Sequence, residues 1–544
     1  MTSQHLEPPK GELRDGVEHI ASRRDSTPHA ARGTSATPAP SAWFPLGYRE
    51  GFSQWWSCLP AAAAEHKVLS YLPYLQHEPP THLQTGKTSN LPSGDIGSLE
   101  SADHSQEGEV SANSLNDPYG PRKWRSSMVE LSGKHRALNE FSVERVGEEA
   151  SQHLVMIHGY GAGLGFFYKN FEPLSRLKGW QLHALDMLGM GRSTRPSFRI
   201  KSKDREDAIK EAEAWFVDAL EEWRVKRNID RFTLLGHSLG GYMAVAYALK
   251  YPGRLNKLIL ASPVGIPEDP YAVSADMPSE STMNNEFSQN QRNITQSASS
   301  VPPQDMQKGD NNILLKGSAP SPAAPDRPRR MIPKWFAYLW EANISPFSLI
   351  RWAGPLGPRL VSGWTSRRFS HLPADEAKAL HDYSYSIFSL RGSGEYALAY
   401  ILAPGAFARS PLIHRIEGLG RQIIQSSTPS VQQSTDTMGS SSQHLPASHD
   451  PTLVKRENGI PIVFMYGDHD WMDVKGGVAA KAKLDEERRR ILQDATPEER
   501  EAENGSAKVV VIKRSGHHVY LDGHEEFNRV VLSEMEDVQR KDAK

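Results

Sequence analysis

Residues 232–250 read FTLLGHSLGGYMAVAYALK. Phe232 to Leu235 is a short apolar run of β type, and Tyr242 to Lys250 is rich in good helix formers. Between them lies Gly236-His237-Ser238-Leu239-Gly240, a Gly-x-Ser-x-Gly pentapeptide. A serine at such a strand-to-helix turn is expected to take a strained backbone conformation that lifts its hydroxyl clear of the sheet. Glycines at 236 and 240 keep side chains out of the crowded turn. Chance copies of the pentapeptide are common in long chains, but they seldom fall between a strand and a helix. Ser238 is therefore read as a nucleophile.

A serine alone is a poor nucleophile. It needs a base, an acid that orients the base, and donors for the developing oxyanion. With the serine on such a turn, the partners are expected in the order acid, then histidine. Pro461 to Tyr466 (PIVFMY) is an apolar run followed at once by Gly467-Asp468-His469-Asp470, which places a carboxylate at the carboxyl end of a strand. Val509 to Ile512 is the next run and leads through Ser515-Gly516 to His517. The reading is Ser238, Asp470, His517. Asp468 and Asp473 compete with Asp470, since loop aspartates are often turn formers. Asp470, third after the glycine, is preferred. His518 adjoins His517 and is expected to point the other way.

The first oxyanion donor expected is the Leu239 N–H, from the residue after the serine. The second should come from a loop after an earlier strand. Leu154 to Ile157 is a buried-type strand, and His158-Gly159-Tyr160-Gly161-Ala162-Gly163 follows it. That loop has neither the Gly-Lys-Ser/Thr of a phosphate loop nor a dinucleotide fingerprint. The Tyr160 N–H is the second donor expected, with Gly161 as the fallback. Leu182 to Leu185 is a further strand, and Asp186-Met187-Leu188-Gly189-Met190-Gly191-Arg192-Ser193 forms its turn.

The bulk properties narrow the function classes. The formal charge of the 544 residues is −2, which gives no ground for nucleic-acid binding. The single cysteine, Cys58, excludes an internal disulfide. No His/Cys cluster has metal-ligand spacing, so no metal and no cofactor are expected. No apolar run is long enough to span a membrane, and no secretory signal opens the sequence.

Polar, Pro/Ser/Thr-rich composition marks residues 1–41, 77–117, about 272–327 and about 425–456 as disordered. The core is expected in two parts, 118–262 and 457–544. A helix is expected from Asp204 to Arg224, with Ile209, Ala212, Phe216, Leu220 and Trp223 on its apolar face. Residues 263–456 must leave the sheet and return, and are read as a cap. Its ordered part is aromatic (Trp335, Phe336, Tyr338, Trp340, Phe347, Trp352, Trp364), with Arg329-Arg330 and Arg367-Arg368 at its edges. Such a cap suits acyl chains that carry an anionic head group.

Residues 42–76 stand apart. Trp43, Phe44, Phe52, Trp55, Trp56, Leu59, Val68, Leu69 and Leu72 make an aromatic and aliphatic patch. Tryptophan favours the membrane–water interface, and the stretch is too polar to span, so it is expected to lie on a membrane.

Residues 215–224 (WFVDALEEWR), 234–252 (LLGHSLGGYMAVAYALKYP), His158–Gly163, Asp186–Ser193 and Gly516–Asp522 together resemble one α/β-hydrolase subfamily. It holds the animal lipid-droplet lipase co-activator, its N-acylphospholipid lipase relatives and the fungal mitochondrial cardiolipin-specific deacylases. The resemblance covers about 42–76, 118–270 and 328–540. It implies an α/β-hydrolase fold, with a mostly parallel central sheet flanked by helices and an inserted helical cap. It also implies deacylation of membrane glycerophospholipids, cardiolipin among them, by a phospholipase of A type. A His-x4-Asp element, here His517 and Asp522, is linked in the family to acyl-CoA-dependent acyl transfer to lysophosphatidic acid. The co-activators replace the nucleophile and act as regulators of another lipase, whereas this chain keeps Ser238. The inserts look most like the fungal branch, which implies a mitochondrial address, peripheral at the inner membrane; the alternative is the cytoplasm or the surface of lipid droplets. The first 40 residues are too acidic for a clear transit peptide.

Overall fold

The apolar runs of the sequence become the strands of one sheet, and all but the last, at 509–512, are buried on both faces. The computed structural model describes residues 45–75, 109–111, 117–274, 339–424 and 456–542. Helices α1 (Tyr48–Ser57) and α2 (Ala61–Leu69) come first. Strands β1 (Glu109–Ser111), β2 (Arg122–Glu130), β3 (Ala137–Arg145) and β4 (Gln152–Ile157) follow. Helix α3 (Tyr168–Leu174), β5 (Trp180–Leu185), α4 (Arg205–Lys226) and β6 (Phe232–His237) lead to the serine turn. Beyond it lie α5 (Leu239–Lys250), β7 (Leu255–Ala261) and α6 (Pro270–Ser274). The described cap holds α7 (Pro346–Trp352), α8 (Gly357–Arg368), α9 (Ala374–Phe388) and α10 (Leu398–Ile401). The chain closes with β8 (Pro461–Gly467), α11 (Val474–Asp494), α12 (Pro497–Ala502), β9 (Ser506–Ile512), α13 (Val519–Asp522) and α14 (His524–Asp542).

Among the described residues the sheet order is β1-β2-β3-β5-β4-β6-β7-β8-β9. From β5 to β9 every pairing is parallel, and β1, β2 and β3 form the antiparallel edge. Strand β8 lies directly beside β7, with Ile462 opposite Leu258. The cap excursion therefore leaves and rejoins the sheet at neighbouring strands and does not interrupt it. Helices α4 and α5 cover one face of the sheet, and α3 and α14 the other. Helix α4 starts where expected, with the Asp204 carboxylate accepting the Asp207 N–H as an N-cap.

Two expectations change. The antiparallel edge is not legible in the sequence, because β3 (ALNEFSVER) buries polar residues whose partners come from elsewhere. Glu140 meets His183 and Arg227, and Asn139 meets Glu65 and Asp186. Residues 109–111, placed in a linker by composition, pair with Lys123–Arg125. The rest of the segments expected to be disordered lies outside the described residues, save for a few positions at their edges.

The tryptophan-rich segment divides in two. Val68, Leu69 and Leu72, assigned to a membrane patch, are core residues. The reason is Glu65, which is fully buried and accepts hydrogen bonds from Arg192, Asn139 and the Tyr383 hydroxyl. A carboxylate so paired ties α2 to the sheet and the cap. Only α1 exposes its aromatics, with Phe52 stacked on Trp56 and Trp55 tilted against both. Trp43 and Phe44 lie outside the described residues.

Candidate active site

Strand β6 ends at His237, and Ser238 turns into α5 with φ 54° and ψ −114°. That is a costly conformation for a side chain with a Cβ, and the surrounding turn over-determines it. A Cβ on Gly240 would stand 2.6 Å from the carbonyl oxygens of both Ile157 and His158, so helix and strand can approach only because the residue is glycine. Ser238 is partly exposed.

The three sequence-predicted residues meet. His517 Nε2 lies 2.9 Å from Ser238 Oγ, and His517 Nδ1 lies 3.0 Å from Asp470 Oδ1. A carboxylate can only accept, so Nδ1 carries the proton and Nε2 is left to accept from the serine hydroxyl. The Asp470 side chain is out of solvent. Burial raises its carboxyl, but the hydrogen bond and charge of His517, with the Ser262 hydroxyl and the Met472 N–H, outweigh this and hold it below the ordinary carboxylate value.

The competing residues take other work. Asp468 accepts the Ser515 N–H at 2.9 Å and so ties β8 to the loop that carries His517. Asp473 caps α11 by accepting the Lys475 N–H. His518 turns away from the serine and accepts from Arg368 Nε at Nδ1.

The glycine-rich loop after β4 passes against the serine, and a Cβ on Gly159 would come within 2.9 Å of Ser238 Cβ. Tyr160 follows Gly159, and Leu239 opens α5. Neither N–H has a backbone acceptor among the described residues. Gly161 (φ 69°) turns toward the ring of Phe347. The loop is pinned at both ends. His158 donates from Nδ1 to the Gly159 carbonyl and accepts the Met187 N–H at Nε2. Burial lowers this imidazole to about 4, which keeps it neutral and able to accept. Asp186, also buried, accepts the Leu164 and Arg192 N–H groups.

Two residues near the site were not anticipated, and a third, Phe347, was expected only as one of the aromatics of the cap. His237, the variable residue of the pentapeptide, donates from Nε2 to the His517 carbonyl at 3.0 Å, and burial holds it neutral. Trp471 is 61% exposed and its ring stands 4.9 Å from the His517 ring, at the mouth of the site. Phe347 of the cap stacks on Tyr160 at 4.9 Å and on Phe388 at 4.4 Å, bringing the cap over the glycine-rich loop after β4. Only His237 sat inside a motif; the other two arrive through the fold.

Asp522 does not hydrogen-bond His517. Its Oδ2 accepts the Gly516 N–H, and its Oδ1 accepts both terminal nitrogens of Arg368. Arg368, read as one of a pair for an anionic head group, is thus engaged within the protein. Arg329 and Arg330 lie outside the described residues. Among the described residues no group of acids, histidines or cysteine could hold a metal ion.

Sheet order, serine turn and inserted cap define the class. A family described as the alpha/beta hydrolase fold matches residues 152–524, and the chain belongs to it. Within it, an Arabidopsis thaliana protein named 1-acylglycerol-3-phosphate O-acyltransferase is 30% identical over 74% of this chain and 70% of its own length. A Mus musculus 1-acylglycerol-3-phosphate O-acyltransferase ABHD5 is 27% identical, covering 76% of this chain and 84% of that protein. A Homo sapiens (lyso)-N-acylphosphatidylethanolamine lipase is 27% identical, covering 70% and 77%. The chain is thus a member of the subfamily that its motifs resemble, the one shared by the co-activator and N-acylphospholipid lipase proteins.

Proposed function

We propose that this chain is a serine esterase that deacylates glycerophospholipids at a membrane surface, with cardiolipin as its substrate. The observation that carries the reading is the Ser238–His517–Asp470 relay at 2.9 and 3.0 Å on a strand-to-helix turn. His517 takes the Ser238 proton as Oγ attacks an acyl ester. Asp470 holds the tautomer and stabilises the imidazolium. The Leu239 and Tyr160 N–H groups receive the oxyanion, each contributing on the order of 10²–10³-fold. His517 then protonates the departing lysophospholipid oxygen. Water, deprotonated by the same imidazole, releases the fatty acid.

The membrane surface is argued from α1 and the cap. Helix α1 packs on residues 354–368, with the Arg359 guanidinium 3.9 Å above the Tyr48 ring. Trp56 (75% exposed), Phe52, Trp352, Leu356 and Leu360 all stay in solvent around that contact. Aromatic rings with wet edges favour the headgroup region of a bilayer. Among the described residues no helix is long and apolar enough to cross one. The mitochondrial inner membrane is the location proposed.

The names of two relatives favour a second reading, in which a lysophosphatidic acid hydroxyl replaces water and acyl-CoA supplies the acyl group. The test uses the full chain on phosphatidylcholine vesicles with and without cardiolipin, following fatty acid and lysolipid. A parallel reaction supplies lysophosphatidic acid and acyl-CoA. Ser238→Ala should abolish labelling by a fluorophosphonate and lower turnover by about 10⁶-fold. Labelling that survives the substitution refutes the nucleophile. Phe52, Trp55 and Trp56 changed together to serine should release the protein from vesicles and leave a soluble ester hydrolysed. Unchanged vesicle binding refutes the surface, and fractionation of cells tests the location.

A further inference from the structure

The histidine at 517 is flanked by two residues that a single ion pair holds. Before it, the Gly516 N–H donates to Asp522 Oδ2 at 3.1 Å. After it, His518 Nδ1 accepts from Arg368 Nε at 2.9 Å. Arg368 and Asp522 themselves join, with Nη1 and Nη2 each 2.9 Å from Oδ1. Their side chains are 17% and 12% exposed, so the pair is largely shielded from water. Charge-assisted bonds of this kind are stronger and more directional than neutral ones. Arg368 is the last residue of α8, in the cap, and Asp522 the last of α13, in the core.

The chemistry of each group fits the arrangement. Burial first, and then the Arg368 charge, lowers His518 well below the usual imidazole value. A neutral ring keeps Nδ1 as an acceptor for Nε–H. Phe166 stacks on the same ring at 6.3 Å, which leaves it little freedom to turn. Asp522 Oδ1 faces Arg368 and, at 3.5 Å, His371 Nε2, its Oδ2 takes the Gly516 N–H, and neither oxygen hydrogen-bonds His517.

We propose that Arg368 and Asp522 form a latch from cap to core that positions His517 for proton transfer. Asp522 then acts through the histidine loop and is not an acid for acyl transfer. The inference rests on the reading of Ser238 and His517 as nucleophile and base. Both residues are positioning residues, because neither touches the reacting atoms.

The test compares Arg368→Gln, Asp522→Asn and the double variant in the full chain, each at a temperature where circular dichroism shows it folded. A base displaced by about 1 Å costs on the order of 10²-fold. Each single variant should therefore lower kcat on a soluble short-chain ester by about 10²-fold, with KM within about twofold. The labelling rate of Ser238 by a fluorophosphonate should fall by the same factor. The double variant should be no worse than the worse single one, as expected for one interaction. A purely structural role would alter stability but not the labelling rate of folded protein. If either variant fails to fold, Arg368→Lys, which keeps the charge and loses the fork, replaces it with the same expected fall. The latch is overturned if Asp522→Asn loses only acyl transfer to lysophosphatidic acid while Arg368→Gln resembles the native protein. It is also overturned if neither substitution changes kcat or labelling. Failure of the underlying reading shows separately, as labelling that persists in Ser238→Ala.

Discussion

Asp470→Asn separates the charge of the acid from its shape. Asp470 Oδ1 accepts two N–H groups, His517 Nδ1 and Met472 N, both at 3.0 Å. An asparagine satisfies both only with its carbonyl oxygen in that place, so the amide nitrogen takes the Oδ2 position and His517 keeps its tautomer. What disappears is the negative charge beside the imidazolium that, on the proposed mechanism, forms as Ser238 attacks. Two unit charges about 4 Å apart in an effective dielectric near 20 interact by about 4 kcal/mol. With about 1.4 kcal/mol per tenfold in rate, kcat should fall on the order of 10³-fold. A flipped amide would force the proton onto Nε2 and cost about 10⁴-fold, so the size of the loss reports the amide orientation. The assay is hydrolysis of a soluble nitrophenyl ester by the full chain, with the fluorophosphonate labelling rate as a second readout and circular dichroism as the control for folding. A variant that keeps more than about a tenth of native kcat would refute the role given to Asp470.

Three further outcomes follow from the packing. Gly240→Ala drives a methyl group against two backbone carbonyls at 2.6 Å, and neither can move away as a flexible side chain could. Destabilisation of about 3 kcal/mol is expected, with loss of labelling, and a melting temperature near the native one would contradict it. Glu65→Ala removes the buried carboxylate shared by Arg192, Asn139 and the Tyr383 hydroxyl and should cost about 3–5 kcal/mol in urea unfolding. A small change there would mean that α2 is not part of the folded core. Asp468 has its carboxyl lowered to about 2: burial opposes this, but the N–H groups of Arg514 and Ser515 and the adjacent His469 outweigh it. A depressed folded-state value means the stabilisation is complete above the ordinary value near 3.8 and is lost as pH falls from there toward 2. The melting-temperature gap between native protein and Asp468→Asn should therefore be full at pH 5 and shrink across that window; a gap independent of pH would be the contrary result.

The parts legible in the sequence share one property: their reading is local. The apolar runs at 154–157, 182–185, 232–235, 258–260, 461–466 and 509–512 are each strands, and all but the last are buried along their length, where apolar side chains need no partner. The glycines of 236–240 betray the turn, because only glycine fits a contact of 2.6 Å. Asp470 and His517 could be named because chain order and position after a strand restrict them. Illegible were the residues whose environment is supplied from far along the chain. Asn139 and Glu140 look like surface residues until Glu65, Asp186, His183 and Arg227 arrive beside them. Leu69 and Trp56 look alike in one aromatic stretch, yet one is core and the other is in solvent.

By itself, then, the sequence determined the class of fold and named Ser238, Asp470 and His517, which the structure brings within 3.0 Å of one another in turn, through short-range rules of burial, turn geometry and order. Only the tertiary structure decided which half of residues 42–76 belongs to the core. It alone brought Arg368, 154 positions before Asp522, into a fork on that carboxylate. Composition carries no information about which charged groups will meet after folding, because ion pairing depends on distances set by the packing of elements remote in the chain.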